Sequence, residues 1–404
     1  MDYSCEPEHS QHLNIQEKQP FNAEPTAAAL VEFPITPEEL VYCRNHGPVR
    51  EFDAESYSIT ISGSPKGDLT LNVKELQSLF PCARVVAALQ CAGIRRAEMG
   101  KVKRVHGVPW ADGVIANCKW GGVRLSDLLQ HVGVTEQDNH HVCFESRATL
   151  CQDDTYYGAS IPLEVALDPR HDVLIAYEMN DQPLSPDHGG PLRVVVPGYL
   201  GARWVKWVDR IIISKEESPN FYQQRDYKIL PPTVENKVDA LPLWSKYPAM
   251  TALPLNSVVA VAHPTGDDKL FVKGYALPGP SGNVKRVEIS LDDGETWQDA
   301  NLTYQHNNWS WTIWEAEVDC KLPTGTVYSR AIDVEGNVQP REGIWNMRGV
   351  AYNGWGVRDW PDPSLISDPT ARSVAEKFLG VGETVFDMVQ ATAVNSSYFK
   401  KSSS

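Results

Sequence analysis

The 404-residue sequence contains no CxxC pair and no dense cysteine framework. Its eight cysteines (Cys5, Cys43, Cys82, Cys91, Cys118, Cys143, Cys151 and Cys320) lie scattered along the chain. That distribution argues against a zinc site and against a disulfide scaffold, and it fits a reducing compartment. Positive charge is also in short supply: 37 Lys and Arg face 52 Asp and Glu, a net charge of −15. Such a balance works against binding nucleic acid or an anionic membrane, so any anionic ligand would have to be gathered by a local basic pocket. No apolar run approaches the length of a membrane span. The opening residues, MDYSCEPEHSQHLNIQEKQP, carry neither an apolar core nor an Arg-rich amphipathic pattern, and the closing Ser402-Ser403-Ser404 is a poor Ser-Lys-Leu address. The expected location is therefore intracellular and soluble, in peroxisome or cytoplasm, with no clear targeting signal. The Asn-x-Ser/Thr triplets at Asn301, Asn308 and Asn395 are read as chance. No internal repeat is visible.

What is present is the material of a folded protein. Hydrophobic residues make up 42% and charged residues 22%, with 12 Trp and 15 Tyr, and the length suits two domains rather than one. Over residues 57–239, β-rich runs such as YSITISG, DVLIAYEM and LRVVVPG alternate with helix-like stretches such as VRLSDLLQHVG, an α+β pattern. The first helix expected there begins near Ser126-Asp127, residues able to cap orphan amides. Pro231, Pro232, Pro242, Pro248 and Pro254 crowd residues 229–254, favour extended chain over helix, and mark the expected domain boundary. Beyond it, Val287-Glu288-Ile289-Ser290-Leu291, an Asp293-Gly294 primed turn leading to Thr296-Trp297, residues 309–313 and Val327-Tyr328-Ser329 predict an immunoglobulin-like β-sandwich. The expected division is an N-terminal tail (1–20), an α+β domain (21–235), a sandwich (236–360) and a C-terminal extension (361–404). In that extension Val374, Phe378, Val385 and Val389 could stripe a helix.

The most informative segment is residues 88–96, ALQCAGIRR. A thiolate beside two guanidinium groups is a plausible soft-metal ligand or nucleophile, because nearby positive charge depresses a thiol pKa and attracts anions. Taken alone, Cys91 would more often be a buried core cysteine beside surface arginines. Other segments change that balance: YCRNHGP at 42–48, VPW at 108–110, NCKWGGV at 117–123, YGASIP at 157–162, LIAYEMN at 174–180, DHGGPLRVVVPG at 187–198, GARWVKW at 201–207, RDYK at 225–228 and WNMRG at 345–349.

Together these resemble, in order, the motifs of the sulfite oxidase family of eukaryotic molybdopterin oxidoreductases, over about residues 20–355. The resemblance implies a mixed α/β molybdopterin-binding catalytic domain followed by an immunoglobulin-like dimerisation domain, and hence a homodimer. It implies a molybdenum–molybdopterin cofactor with Cys91 as the protein ligand to the metal. Tyr42, Arg44, Asn45, His46, His188, Arg193, Trp204, Val205 and Lys206 would hold the pterin and its phosphate. Arg44, Arg96, Arg348, Tyr227 and Trp110 would build the sulfite pocket. The implied reaction is oxidation of sulfite to sulfate, with two electrons leaving through Mo(VI)/Mo(IV). No His-Pro-Gly-Gly motif is present, so no haem is expected, and oxygen is the expected acceptor, giving hydrogen peroxide. Arg348 stands where the nitrate reductase branch of the superfamily usually has Met, which favours sulfite over that alternative. A third reading is a non-catalytic association protein derived from the fold. Two departures from the family pattern stand out: Ile94 replaces the usual Asn before Arg95-Arg96, and an acidic position expected near Thr149 is not clearly matched.

Overall fold

Residues 58–62, SITIS, alternate polar with apolar and bury Ile59 and Ile61, and in residues 210–214, RIIIS, burial alternates with the same period, Ile211 and Ile213 buried and Ile212 on the other face. In the computed structural model, which describes residues 1–135, 141–266 and 268–360, these two strands pair parallel at the centre of a five-stranded sheet. Its order is Leu69–Asn72, Ser58–Ser62, Arg210–Ser214, His141–Ser146, Tyr157–Pro162. A second five-stranded sheet runs Gln182–Pro183, Leu174–Met179, Ile115–Arg124, Cys82–Gln90, with Arg193–Val195 also paired to Leu174–Met179. Cys82–Gln90 pairs along its whole length with Ile115–Arg124, Gln90 opposite Ile115, so the strand delivers Cys91 at a fixed height over a buried core. This is the mixed α/β architecture expected for the first part of the chain.

Two four-stranded antiparallel sheets form the second part: Asn256–Gly266, Lys269–Leu277, Thr312–Asp319, Asn301–Gln305, and Gln298–Asp299, Val284–Ser290, Gly325–Asp333, Gly356–Trp360. Their inward faces, including Val272, Val287, Ile289, Trp314, Val327 and Trp360, make a core of their own. Other residues of the same sheets, Val258, Tyr275, Leu277 and Ile313, and Trp311 just before its strand, join the core of the first part instead, so the two parts are packed against each other. No helix among the described residues is long and apolar enough to cross a membrane.

Several local expectations are corrected. The helix Leu125–His131 starts from Arg124 with no side-chain cap, placing Ser126 and Asp127 inside its first turn. An earlier helix, Val73–Leu79, carries the capping box, with Asn72 and Glu75 each bonding the other's backbone amide. The proline-dense segment is not wholly extended; it holds the short helical turns Lys237–Ala240 and Trp244–Lys246. Asp293 and Gly294 do take positive φ, 58° and 87°. They lie within a seven-residue connection, 291–297, and Thr296 and Trp297 precede the next strand rather than belonging to it. Asp292 organises that loop by accepting from the Thr296 amide at 2.9 Å. The run at 309–313 enters its strand only at Thr312. Residues 1–20 are no trailing tail: Asn14–Glu17 pairs with Asn22–Glu24, and His9 stacks on Phe21 at 3.8 Å. The extension 361–404 and its expected helix lie outside the described residues.

Candidate active site

Cys91 ends its strand in a cleft of about 800 Å³, counting the part open to solvent. Tyr42, Arg44, Asn45, His46, His188, Arg193, Trp204, Lys206 and Tyr227 line it with Cys91, as do Thr149, Cys151, Tyr157 and Asp187, which sequence reasoning did not select. Cys91 is 6% exposed, and among the described residues its Sγ takes only the Gly93 amide, at 3.4 Å. Val205, expected at the cofactor, does not line the cleft; its carbonyl accepts the Val194 N–H at 2.8 Å. Arg96, Trp110 and Arg348 stand behind the lining rather than in it.

Arg96 is nonetheless held firmly against that wall. Its Nε donates to the carbonyls of Arg348 and Gly349 at 3.1 and 3.0 Å, and Nη1 to that of Val108 at 2.9 Å. Three glycines make the slot: a Cβ on Gly93, Gly107 or Gly349 would fall 2.5, 2.9 or 2.6 Å from Arg96 side-chain atoms. Burial, offset by the Cys91 thiol and reinforced by Arg348 and Arg44, lowers its pKa to about 10, so it stays cationic at neutral pH. Trp110 is fully buried, with its indole N–H unpartnered among the described residues. Ile94 is 1% exposed and belongs to the apolar core, its amide bonded to the Cys91 carbonyl.

The cations are the decisive feature. Arg193 donates to the carbonyls of His188 and Trp204 and lies over the Trp120 ring at 4.8 Å, while its Nε has no partner among the described residues. Arg203, fully buried, bonds only the carbonyls of Met250 and Tyr222 among the described residues. Lys206 donates to the Asp187 carbonyl at 2.9 Å and to Asn45 Oδ1, and burial pulls its pKa down to about 8. Arg44 bonds Asn22 Oδ1, the Asn45 carbonyl and His46. Among the described residues none of Arg44, Arg96, Arg193, Arg203 or Lys206 has a carboxylate in ion-pair reach; Arg348 does, pairing with Asp226. Asp187 turns its own carboxylate to His9 at 2.9 Å. Burying unpaired cations costs several kcal/mol each, which an incoming anion would offset.

The His46–Tyr227 pair has a readable polarity. Burial, then the fields of Arg44, Arg348, Lys206 and Arg96, hold His46 far below its ordinary pKa, so it is neutral. Arg44 Nη2 lies 3.2 Å from Nδ1 and can only donate, so Nδ1 is the acceptor and Nε2 carries the hydrogen. Nε2 then donates to the Tyr227 oxygen at 2.9 Å, which leaves the phenolic hydrogen free to point into the cleft. Burial raises Tyr227 to about 12 and keeps it protonated.

Comparison with known proteins agrees with this geometry. The family described as "Oxidoreductase molybdopterin binding domain" matches residues 46–222, and "Mo-co oxidoreductase dimerisation domain" matches residues 248–357. The sulfite oxidase of Arabidopsis thaliana is 41% identical over 380 residues, 88% of this chain and 95% of that protein. The chain belongs to the sulfite oxidase family. The mitochondrial sulfite oxidase of Drosophila melanogaster is also 41% identical, over 87% of this chain, which spans 64% of that longer protein. In fold, the sulfane dehydrogenase SoxCD of Paracoccus pantotrophus superposes with a TM-score of 0.70 at 25% identity, over 88% of this chain and 87% of that one. Family membership makes the chain an oxidoreductase with a molybdopterin-binding domain and a dimerisation domain. Residues 360–401 separately match the family described as "Mitofissin".

The residues that fit the cofactor are the unpaired donors. Arg193 Nε, without a partner among the described residues, and the Lys206 ammonium, which holds only neutral oxygens of Asp187 and Asn45 there, face a cleft whose needs an anionic, phosphate-bearing group would meet. The soft Cys91 sulfur, free of any side-chain partner among the described residues, suits a soft transition metal. Sequence reasoning passed over Tyr157, Asp187 and Arg203 because each makes its contact through chain distant in sequence. All three lay within segments that the sequence singled out, YGASIP, DHGGPLRVVVPG and GARWVKW.

Proposed function

We propose that this chain oxidises sulfite to sulfate with a molybdenum–molybdopterin cofactor and passes the electrons to oxygen, releasing hydrogen peroxide. The observation that carries the reading is the set of cations with no carboxylate partner among the described residues, Arg44, Arg96, Arg193 and Lys206, in and behind a cleft that holds a buried thiol bonded only by the Gly93 amide among those residues, in a protein of net charge −15. A dianionic substrate and a phosphate-bearing cofactor are what such a site would attract.

Cys91 would hold the metal, and Arg193, Lys206, His188, Asn45 and Tyr42 would hold the pterin and its phosphate. When bound, the cofactor supplies the two-electron redox chemistry and the oxygen atom transferred to sulfur. Arg44, Arg96 and Arg348 supply the field that draws sulfite in and orients its oxygens. Arg348 is partly neutralised by Asp226 and contributes less charge than sequence alone implies. Tyr227, donated to by His46, offers its O–H to a sulfite or sulfate oxygen. Trp110 backs the wall and excludes water. The catalytic unit is residues 21–235 and the sandwich of 236–360 the dimer-forming unit, a division supported by the core that the sandwich strands make of their own. Eight cysteines free of disulfides suit a reducing compartment, peroxisome or cytoplasm. Arg348 in WNMRG favours sulfite over nitrate.

The test is sulfite titration of molybdenum-loaded protein, with oxygen consumption and peroxide measured together. One peroxide per sulfite consumed is expected. Sulfite that fails to bleach the oxidised cofactor, with nitrate reoxidising the reduced protein, would transfer the chain to the nitrate branch. Well-folded protein grown with molybdate but lacking molybdenum would favour the association reading.

A further inference from the structure

Between Cys91 and Arg96 stands a residue to which the mechanism gives no task. Arg95 is 1% exposed and all five of its N–H groups are engaged. Nε and Nη2 hold Glu98 at 2.8 and 2.7 Å. Nη1 donates to Asn256 Oδ1 at 2.8 Å and to the Gly354 carbonyl at 2.6 Å, and Nη2 donates to the Trp355 carbonyl at 2.7 Å. The guanidinium also lies over the Tyr352 ring, 4.9 Å from its centroid. Asn256, Tyr352, Gly354 and Trp355 all belong to the second part of the chain. Asn256 is itself fixed, 2% exposed, donating to the Tyr352 carbonyl at 3.0 Å and accepting from Gln339 at 3.2 Å.

The backbone at Arg95 is left-handed, with φ 60° and ψ 25°, a conformation that costs a residue with a side chain about 1–2 kcal/mol. Something must hold it there, and the five side-chain bonds do so from the far side. This turn sets the direction in which Arg96 leaves the Cys91 loop. Neighbouring bonds point the same way: the Ala351 amide donates to the Ala92 carbonyl at 2.9 Å, and Arg96 itself reaches the carbonyls of Arg348 and Gly349.

We propose that Arg95 is a positioning residue that ties the metal-ligand loop to the second domain, so that the anion affinity of the site depends on how that domain is docked. The proposal rests on the reading of the cleft as an anion site. Arg95 touches neither substrate nor cofactor; it acts through the Arg96 direction.

The test uses the full-length, molybdenum-loaded chain and the variants Arg95→Lys and Asn256→Ala. The second variant leaves the Arg95–Glu98 pair intact and removes only one leg across the domains. Two quantities are read for each: kcat and KM for sulfite, normalised to bound molybdenum, and the dissociation constant for sulfate by calorimetry. Arg95→Lys is expected to raise both KM and the sulfate constant about tenfold, with kcat changed less than about threefold. Asn256→Ala is expected to move both the same way by about threefold. Folded variants whose KM and sulfate constant stay within about twofold of the parent overturn the proposal even if their melting temperature falls, because that is the behaviour of a purely structural strut. Should Arg95→Lys fail to fold, Asn256→Ala decides alone. A parent protein that binds sulfate but does not oxidise sulfite defeats the proposed function, while the sulfate comparison still judges Arg95.

Discussion

Replacing Gly93 by Ala puts a methyl group 2.5, 2.6 and 2.7 Å from Nη2, Cζ and Nη1 of Arg96. A guanidinium at the end of an exposed side chain would swing aside at little cost. This one cannot, because Gly107 and Gly349 close the slot on its other sides and three carbonyls, Val108, Arg348 and Gly349, hold it. Retreating to ordinary contact requires a shift of roughly 1 Å, which carries bonds of 2.9 to 3.1 Å beyond useful range. Losing one or two such charged bonds costs about 2–4 kcal/mol, divided between folding stability and the placing of the Arg96 charge. The expected outcome for Gly93→Ala is a sulfite KM raised about thirtyfold, some 2 kcal/mol, with the remainder appearing in the urea midpoint. Steady-state oxidation normalised to molybdenum, together with urea unfolding of the same preparation, measures both. A variant with KM within twofold of the parent and an unchanged urea midpoint would refute the claim that Arg96 is wedged in a glycine slot and serves the anion from there.

Lys206, with its pKa pulled by burial to about 8, lies below its unfolded value, so the cost of holding it charged is fully present below about pH 8. An anion that relieves this cost binds best where Lys206 is protonated. Phosphate affinity of cofactor-free protein should therefore weaken as pH rises through about 8, by up to tenfold per pH unit, and Lys206→Met should flatten that dependence in a calorimetric titration. His263 is 3% exposed, with neither ring nitrogen partnered among the described residues, and burial lowers its pKa to about 4. A depressed histidine pKa makes the unfolded chain take up a proton that the fold refuses, so stability declines from about pH 6.5 downward and the loss levels off near pH 4, at about 3 kcal/mol. His263→Leu should remove that acid limb and stabilise the protein by about 1–2 kcal/mol at pH 7; urea curves at pH 7 and 5 that match the parent would contradict it. Ile94→Asn places an amide among apolar neighbours at a position 1% exposed and should cost about 1–3 kcal/mol, read as a lower midpoint in urea. An increase in stability would mean that a hydrogen-bonding partner waits beside residue 94.

Much of the fold was legible because strand period and turn chemistry are local. SITIS announces itself through alternation, LIAYEM through a short apolar run buried on both faces, and Asp293-Gly294 through its need for positive φ. Where the reading went astray, long-range contacts had overruled local preference. Ser126-Asp127 looks like a cap but falls inside a turn, because the pairing of Ile115–Arg124 fixes where the strand ends. The first twenty residues lack strong hydrophobicity yet pack, because His9 finds Phe21 and Asp187. Neither contact has a local signature.

The sequence by itself determined which chemical groups exist and in what order: a thiol at 91 beside two arginines, the further arginines, lysine and histidines of the ordered motifs, and a boundary rich in proline. That suffices for family and cofactor class, since motif spacing along one strand or loop is a local property. Tertiary structure alone decided which charges are paired and which are left to meet a ligand. Arg348 is partly neutralised by a carboxylate 122 positions earlier, Arg95 is consumed in bonds to Glu98 and to residues 256–355, and Arg193 keeps a donor without a partner among the described residues. Coulomb energy and desolvation depend on distances across the folded chain, and those distances are absent from the order of the residues.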